Sequence, residues 1–443
     1  MTPDFAAVVM AAGLGTRMRS STPKHLHRLL GRRMVDWVIG AAEDAGATPI
    51  VVVAAPDVRD EFDGVDIAVQ ERPLGTGDAV RAAREQLGAT NRDVLVLSGD
   101  APLLSPELLR ELVATHREER AAATVLSFEP PDPGRYGRIV RDGTGRLTHI
   151  VEAADATPEE LELHEVNSSI YVFSADKLWP ALARIEPQNA QGELYLTDAI
   201  GILTGAGETV AIHVAPDPVE AEGINTRVEL AAATAALRDR INRAHMLAGV
   251  TIVDPSTTWI DPAVELEADV TIHPFTQLRG KTKIARGSEI FAGVVAIDAE
   301  VGARVAVGPF CYLRPGTVLE AGAKAGTFVE LKNAHIGEGA KVPHLSYLGD
   351  ADVGAMTNIA AGNITANYPH EAGRGKTHTR IGRNVRTGVD NTFVAPVDVG
   401  DDAWLAPGAV ISDDVPPGSL AGFAPRQTNK EGWVYDKHAN RND

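Results

Sequence analysis

Cysteine is nearly missing from this chain: Cys311 is the only one in 443 residues. That excludes an intrachain disulfide and a cysteine-built zinc site. Aromatic residues amount to 5%, and no apolar run approaches the roughly 18 residues of a membrane-spanning helix. No cationic-then-apolar leader opens the sequence, so a cytoplasmic protein is expected. Positive charge is also short, with 42 Lys and Arg against 60 Asp and Glu and a formal net charge of −18. Such a surface repels phosphate backbones and anionic lipid, so neither nucleic acid nor a membrane is an expected partner. Small-molecule substrates are, and any nucleotide among them must be held by a local basic cluster.

What is present divides into two rhythms. At 443 residues the chain is too long for one core and suits two or three domains. Up to about residue 225, strand-like runs (7–10, 50–54, 67–70, 94–97, 123–128, 165–173 and 210–214) alternate with helix-like stretches such as 76–86 and 106–119. Alternation of this kind predicts an α/β domain with a Rossmann-like, mostly parallel sheet. Ligands then bind beyond the carboxyl ends of the strands. Residues 227–247 are rich in good helix formers and are followed by Gly249, which predicts one long connecting helix. After Gly249 an aliphatic residue returns every six positions: Leu266, Ile272, Leu278, Ile284 and Ile290. The phase resets and the beat continues through Val301, Val307, Leu313, Leu319, Ala325 and Leu331, then Ile336, Val342 and Leu348, then Val353 and Ile359, and last Val399, Leu405 and Ile411. Small or β-branched residues (Val270, Thr276, Thr282, Ser288, Val294) keep the same interval. A sustained hexad predicts a parallel β-helix, each hexad forming one flat face with its aliphatic side chain inward. The expected domains are therefore 1–227, a helical linker over 228–248, and 249–443.

The chemistry is concentrated first in residues 8–24, VVMAAGLGTRMRSSTPK. A buried strand breaks into the loop Ala11, Ala12, Gly13, Leu14, Gly15, where glycine lets backbone N–H groups approach phosphate oxygens. Arg17 and Lys24 bring two positive charges to that loop. It is neither a dinucleotide fingerprint, which needs a third glycine, nor a Walker loop, which needs Gly-Lys-Ser/Thr. The string A-A-G-x-G-T-R-M with P-K downstream resembles the sugar-1-phosphate nucleotidylyltransferases. The hexads resemble the left-handed β-helix acyltransferases, and the handedness comes from that resemblance alone.

Head, helix and solenoid in this order resemble one family of bifunctional enzymes, the N-acetylglucosamine-1-phosphate uridylyltransferase / glucosamine-1-phosphate N-acetyltransferases. The strings QERPLGTG (70–77), FVELK (328–332), PHLSYLGD (343–350) and KEGW (430–433) carry the match. The resemblance implies synthesis of UDP-N-acetylglucosamine for the bacterial envelope. Acetyl-CoA and UTP are then co-substrates, Mg2+ the metal and a homotrimer the assembly. In the first site it implies Arg17 and Lys24 for phosphate charge, Ser98, Gly99 and Asp100 at a strand end, and Asp100 with Asn225 as magnesium ligands. Gln70, Gly75 and Thr76 would meet uracil. Gly137, Glu152, Asn167 and Asn225 would meet the sugar. In the second site His344, within the matched PHLSYLGD string, is the expected base, since an imidazole can be neutral near pH 7, and Glu330 is our own expectation for the group that orients it. By the resemblance, Arg314 and Lys332 would hold the sugar phosphate, Tyr347 and Asn358 the rest of the amino sugar, and Ala361, Asn367 and Tyr368 the acetyl-CoA.

Several positions depart from that pattern. Ser98 stands where the family often has an aromatic residue, and Ser168-Ser169 where it usually has Thr-Gly. In the acetyl-CoA region Val389 stands for serine, Pro407 for a small residue whose backbone contacts the cofactor, and Ala424 for an arginine that Arg426 would replace. Ala360 stands for a glycine. Two alternatives therefore stay open: a nucleotidylyltransferase whose β-helix is only a trimerising scaffold, and one acting on another sugar or base. Asn167 and Asn363 head formal glycosylation sequons, which are discounted without a secretory leader.

Overall fold

The structure is a computed structural model and describes residues 5–13, 15–62, 64–88, 92–368, 375–422, 427 and 429–433. The expected contacts Leu14 and Arg426, and the departure at Ala424, lie outside the described residues. The chain forms two compact units that meet at Leu237 and Arg238, inside the helix Arg227–Leu247. In the first unit Ala233 and Leu237 of that helix pack with Leu29, Met34 and Ile224. In the second, Asn242 donates to the carbonyls of Pro255 and Thr258, both at 2.9 Å. The helix thus contributes to both cores, whereas the sequence reads it as a linker between them.

The first unit is built on a nine-stranded sheet whose main path runs Val210–Val214, Ala123–Phe128, Val166–Phe173, Asp93–Ser98, Phe5–Ala11, Ile50–Ala54 and Asp66–Val69. Phe5–Ala11 is buried along its whole length and packs on both faces. Phe5, Ala7, Val9 and Ala11 join one core with the helices Met34–Ala45 and Pro106–Glu118. Ala6, Val8, Met10 and Ala12 join the other with Thr76–Ala82, Ala175–Leu182 and Leu196–Gly205. This two-sided burial explains why the strand reads as a continuous apolar run rather than an alternation. The expected helix over 76–86 is divided at Ala83 into Thr76–Ala82 and Arg84–Leu87.

One strand of this main path departs from the parallel order. Val166–Phe173 runs antiparallel to both neighbours, with Tyr171 opposite Val96 and Val172 opposite Leu95. Its amino-terminal residues therefore lie at the sheet end where the parallel strands terminate. A hairpin that the sequence reading passed over, Arg138–Arg141 with Leu147–Val151, extends the sheet there.

The second unit is a parallel β-helix of three stacked strand ladders. One runs Thr251–Ile252, Thr271–Ile272, Glu289–Ile290, Ala306–Val307, Lys324–Thr327 and Lys341–His344. A second starts at Trp259–Ile260 and includes Tyr312–Leu313, Glu330–Ile336 and Tyr347–Val353; the third starts at Glu265–Leu266. Successive hexads supply the three faces in turn, so aliphatic residues stack in register: Ile290 over Ile272, Leu331 over Leu313, Ile336 over Leu319. Thr276, Thr282 and Ser288 are buried at corners, and each hydroxyl donates to a turn carbonyl at 2.7–2.8 Å. A buried hydroxyl without such a partner would be destabilising, which accounts for the small polar residue in the repeat. Cys311 lies in this core, its thiol pushed up to about 12 by burial, so it is inert packing rather than a reactive group. No helix among the described residues is long and apolar enough to cross a membrane.

Two candidate functional sites

The first site forms where Phe5–Ala11 and Asp93–Ser98 end side by side. Gly15 has φ of 59°, and a Cβ built on it would lie 2.3 Å from Lys24 Cβ, so only glycine lets the loop close over that lysine. Gly75, with φ of 118°, passes similarly close to the Leu194 carbonyl. The Lys24 ammonium pairs with Asp100 Oδ2 and donates to Asn225 Oδ1 at 2.7 Å. Arg17 donates to the same amide oxygen at 2.7 Å, and Ser98 Oγ holds Asp100 Oδ1 at 2.6 Å. Asn225 Nδ2 is tied to the Gly223 carbonyl at 3.2 Å, which turns its oxygen toward the cations.

Burial alone would raise the Asp100 carboxyl, but Lys24, His25 and the Ser98 hydroxyl hold it below the usual carboxylate range. A carboxylate oxygen and an amide oxygen thus converge on one cationic centre. Among the described residues no group of three or more His, Cys, Asp or Glu forms a metal cage. That donor set fits magnesium, which takes one or two protein oxygens and leaves its other positions to water and phosphate.

His25 lies beneath this cluster, 6% exposed. Burial, then Lys24, lower it to about 4 against the opposing pull of Asp100 and the Ala11 backbone. The folded-state value lies below the unfolded one, so the unfolded chain takes up the proton first as pH falls. The contribution to stability is complete above about pH 6.5 and is lost on descent to about 4, an effect of about 3 kcal/mol. Asp100 shifts stability in the same direction at lower pH. Urea denaturation of the intact protein between pH 7 and 4 should show this loss in the transition of the first unit, and His25→Asn should flatten it.

Two adjoining cavities lie above the sheet end. One, of about 420 Å³, is lined by Gly13, Gly15, Arg17, Lys24, Gln70, Gly75, Thr76 and Asp100 among others. Gln70 is buried, and its Nε2 is committed to the Gly75 carbonyl (3.0 Å) and Asp78 (3.1 Å). The second, about 600 Å³, is lined by Glu152, Tyr171, Tyr195 and Thr197. Asn167 N donates to the Gly137 carbonyl (2.8 Å), and a Cβ on Gly137 would lie 3.4 Å from Glu152 Oε2. Gly137, Glu152 and Asn167 are therefore neighbours, as their joint assignment requires. Burial raises the Glu152 carboxyl despite a hydrogen bond from Thr197 (3.3 Å). Tyr171 and Thr197 were missed by sequence reasoning; Tyr171 looks like core in an apolar strand, and its hydroxyl reaches Asn167 only through the strand's irregular pairing.

On the solenoid, Arg314, Lys332 and Tyr347 share the second ladder. Arg314 Nη1 pairs with Glu330 Oε1 at 3.0 Å. Glu330 is thus paired with Arg314, and within one copy His344 is exposed and has no side-chain hydrogen bond among the described residues. The neighbouring Lys376 first, and more weakly Arg314, draw Lys332 below the usual lysine range. Arg314, Lys332 and Lys376 thus form a cluster of three cations, with Glu330 and Asp350 beside it. Lys376 was not anticipated, because it lies at the far end of the loop that interrupts the hexads. Asp350 beside them is bonded by Asn333 and Asn367. Tyr347 Oη would lie 2.2 Å from a Cβ on Gly349, so the missing side chain leaves room for the ring.

His344 and Asn358 belong instead to the first ladder, where Lys341, Asn358, Arg386 and Trp404 pair in succession. One copy of the chain does not gather all the amino-sugar residues on one face. Ala361, Val389 and Pro407 stack at a single corner: Asp390 N donates to the Ala361 carbonyl and Gly408 N to that of Val389, both at 2.8 Å. Asn367 is buried and Tyr368 exposed just beyond Ile364–Ala366. The sequon residues Asn167 and Asn363 are both buried.

The MobA-like NTP transferase domain family matches residues 7–196. The bifunctional protein GlmU of Streptomyces coelicolor is 48% identical over 464 residues, covering 98% of this chain and 94% of that protein. Its counterpart in Streptomyces avermitilis is 49% identical over 457 residues, with 98% and 94% covered. That of Mycobacterium avium is 46% identical over 462 residues, again with 98% and 94% covered. With a nucleotidyl-transferring head and a hexad solenoid in the same order, the chain belongs to the GlmU family of bifunctional uridylyltransferase–acetyltransferases.

Proposed function

We propose that the two activities are divided between the two sites described above, the solenoid acetylating glucosamine-1-phosphate and the head coupling the product to UTP. The observation that carries the first assignment is the convergence of Arg17, Lys24, Asp100 and Asn225 at the glycine loop. Gln70, its amide nitrogen already committed, presents only an oxygen, the partner that the uracil N3–H requires. Ala11, Ala12, Gly13 and Gly15 bring backbone close to the triphosphate, and Gly75 and Thr76 close the base side. Gly137, Glu152 and Asn167 hold the sugar. A phosphate oxygen of N-acetylglucosamine-1-phosphate attacks the α-phosphorus of UTP and pyrophosphate leaves. No protein nucleophile is needed; the residues position two anions and neutralise them. Asp100 and Asn225 hold Mg2+, which when bound adds positive charge at the phosphates.

On the solenoid, Arg314, Lys332 and Lys376 bind the sugar phosphate, and Tyr347 and Asn358 contact the sugar. The amine attacks the thioester carbonyl of acetyl-CoA, His344 takes the amine proton, and coenzyme A leaves as the thiol. Acetyl-CoA lies along the corner of Ala361, Val389 and Pro407, toward Asn367 and Tyr368. The assembly is a cytoplasmic homotrimer. Phe275, Phe310, Phe328 and Leu345 support it, since they are 56–66% exposed along one edge of the solenoid, an apolar stripe suited to another copy. A neighbouring copy would also complete a site whose residues are divided between two faces.

Thiol release from acetyl-CoA in the presence of glucosamine-1-phosphate tests the second activity directly. Release well above the blank is expected. No release, with uridylylation intact, would leave the solenoid as a scaffold and point to Val389 and Pro407.

A further inference from the structure

We propose that Ser169 is a specificity-determining residue of the sugar-phosphate pocket, discriminating at the ring substituent next to the reacting phosphate. The inference rests on uridylylation by the head. Pairing of Val166–Phe173 with Ala123–Phe128 shifts register between Asn167 and Tyr171. Within that irregular stretch Ser168 turns inward and donates to the Leu126 carbonyl at 2.6 Å. Ser169 does the opposite. It takes φ of 63°, the left-handed region that disfavours any side chain, and it lines both cavities. A bulge next to a binding site commonly re-aims one side chain, and here it aims Ser169 at the junction.

The junction has a defined chemical meaning. Arg17, Thr76, Ser169 and Glu193 line both cavities. The phosphate that links sugar to nucleotide must lie where the two cavities meet. The sugar substituent nearest that phosphate is the one on C2, so it faces Ser169. The Ser169 backbone also joins a small polar group: its amide N–H donates to Asn167 Oδ1 at 3.2 Å, and Asn167 Nδ2 donates to Tyr171 Oη at 2.8 Å. Its Cβ narrows the junction against a bulky acetamido group, and its hydroxyl suits a small polar substituent such as a 2-hydroxyl.

The test measures pyrophosphate release from UTP with N-acetylglucosamine-1-phosphate and with glucose-1-phosphate, using the full-length protein. Ser169→Gly is expected to raise the kcat/KM ratio of acetamido sugar to glucose by about 10-fold, the scale of one group in a shaped pocket. Ser169→Ala, which keeps Cβ but loses the hydroxyl, should shift the ratio less, mainly through poorer use of glucose-1-phosphate. Ratios within twofold of the parent in both variants would overturn the proposal, including where the thermal midpoint moves, since that outcome marks a purely structural serine. Unsubstituted protein that turned over neither sugar phosphate would overturn the uridylylation reading itself, a result distinct from an unchanged ratio.

Discussion

Asp100→Asn is expected to lower uridylylation by about 10²–10³-fold, the usual cost of removing a preorganised charge at a phosphoryl centre. The change keeps the shape of the side chain and removes the charge that pairs with Lys24. Ser98 can still hydrogen-bond the Oδ1 side of the amide, so the geometry around the strand end survives. What is lost is the carboxylate charge that pairs with Lys24 and that, with Asn225, would hold the proposed Mg2+. Raising the Mg2+ concentration should recover part of the rate if Asp100 acts as a ligand. Acetyl transfer should stay within twofold, because the two units have separate cores. Loss of both activities from a folded protein would mean that the sites are not separate.

His344→Ala should do the reverse, lowering acetyl transfer by about 10²–10⁴-fold, the range for removing a general base, with uridylylation unchanged. The side chain is exposed and bonded to nothing among the described residues, so its removal should cost the fold little. This separates a catalytic loss from a structural one. Thiol release and pyrophosphate release measured on the same preparation decide it. A His344→Ala protein that still released thiol at more than a tenth of the parent rate would place the base elsewhere.

The hexads, the glycine loop and the long helix were legible because each is a local pattern. In the solenoid the period is a property of the coil itself: strand, turn and inward side chain repeat within one hexad, and stacking needs only the next copy of the same pattern. The expected strands over 50–54, 123–128 and 210–214 coincide with Ile50–Ala54, Ala123–Phe128 and Val210–Val214 for a similar reason, since two-sided burial or strong β propensity marks them residue by residue. The resemblance then supplied candidates from short strings, each of which also carries its own turn chemistry.

The rest was decided in three dimensions. Lys24 meets Asp100 across 76 positions and Asn225 across 201, and no local period reports a meeting of that kind. Lys376 joins Lys332 only because the chain returns to the same face after leaving the repeat. Sequence alone determined that this protein has a sheet domain with a glycine-rich loop at a strand end and a coiled domain of stacked hexads, since backbone periodicity and glycine's freedom are written in neighbouring residues. Tertiary structure alone decided that Val166–Phe173 runs against its neighbours and so delivers Asn167 and Ser169 to the ligand end of the sheet. Strand direction is set by which backbone hydrogen bonds form between distant segments, and an apolar run pairs equally well in either sense.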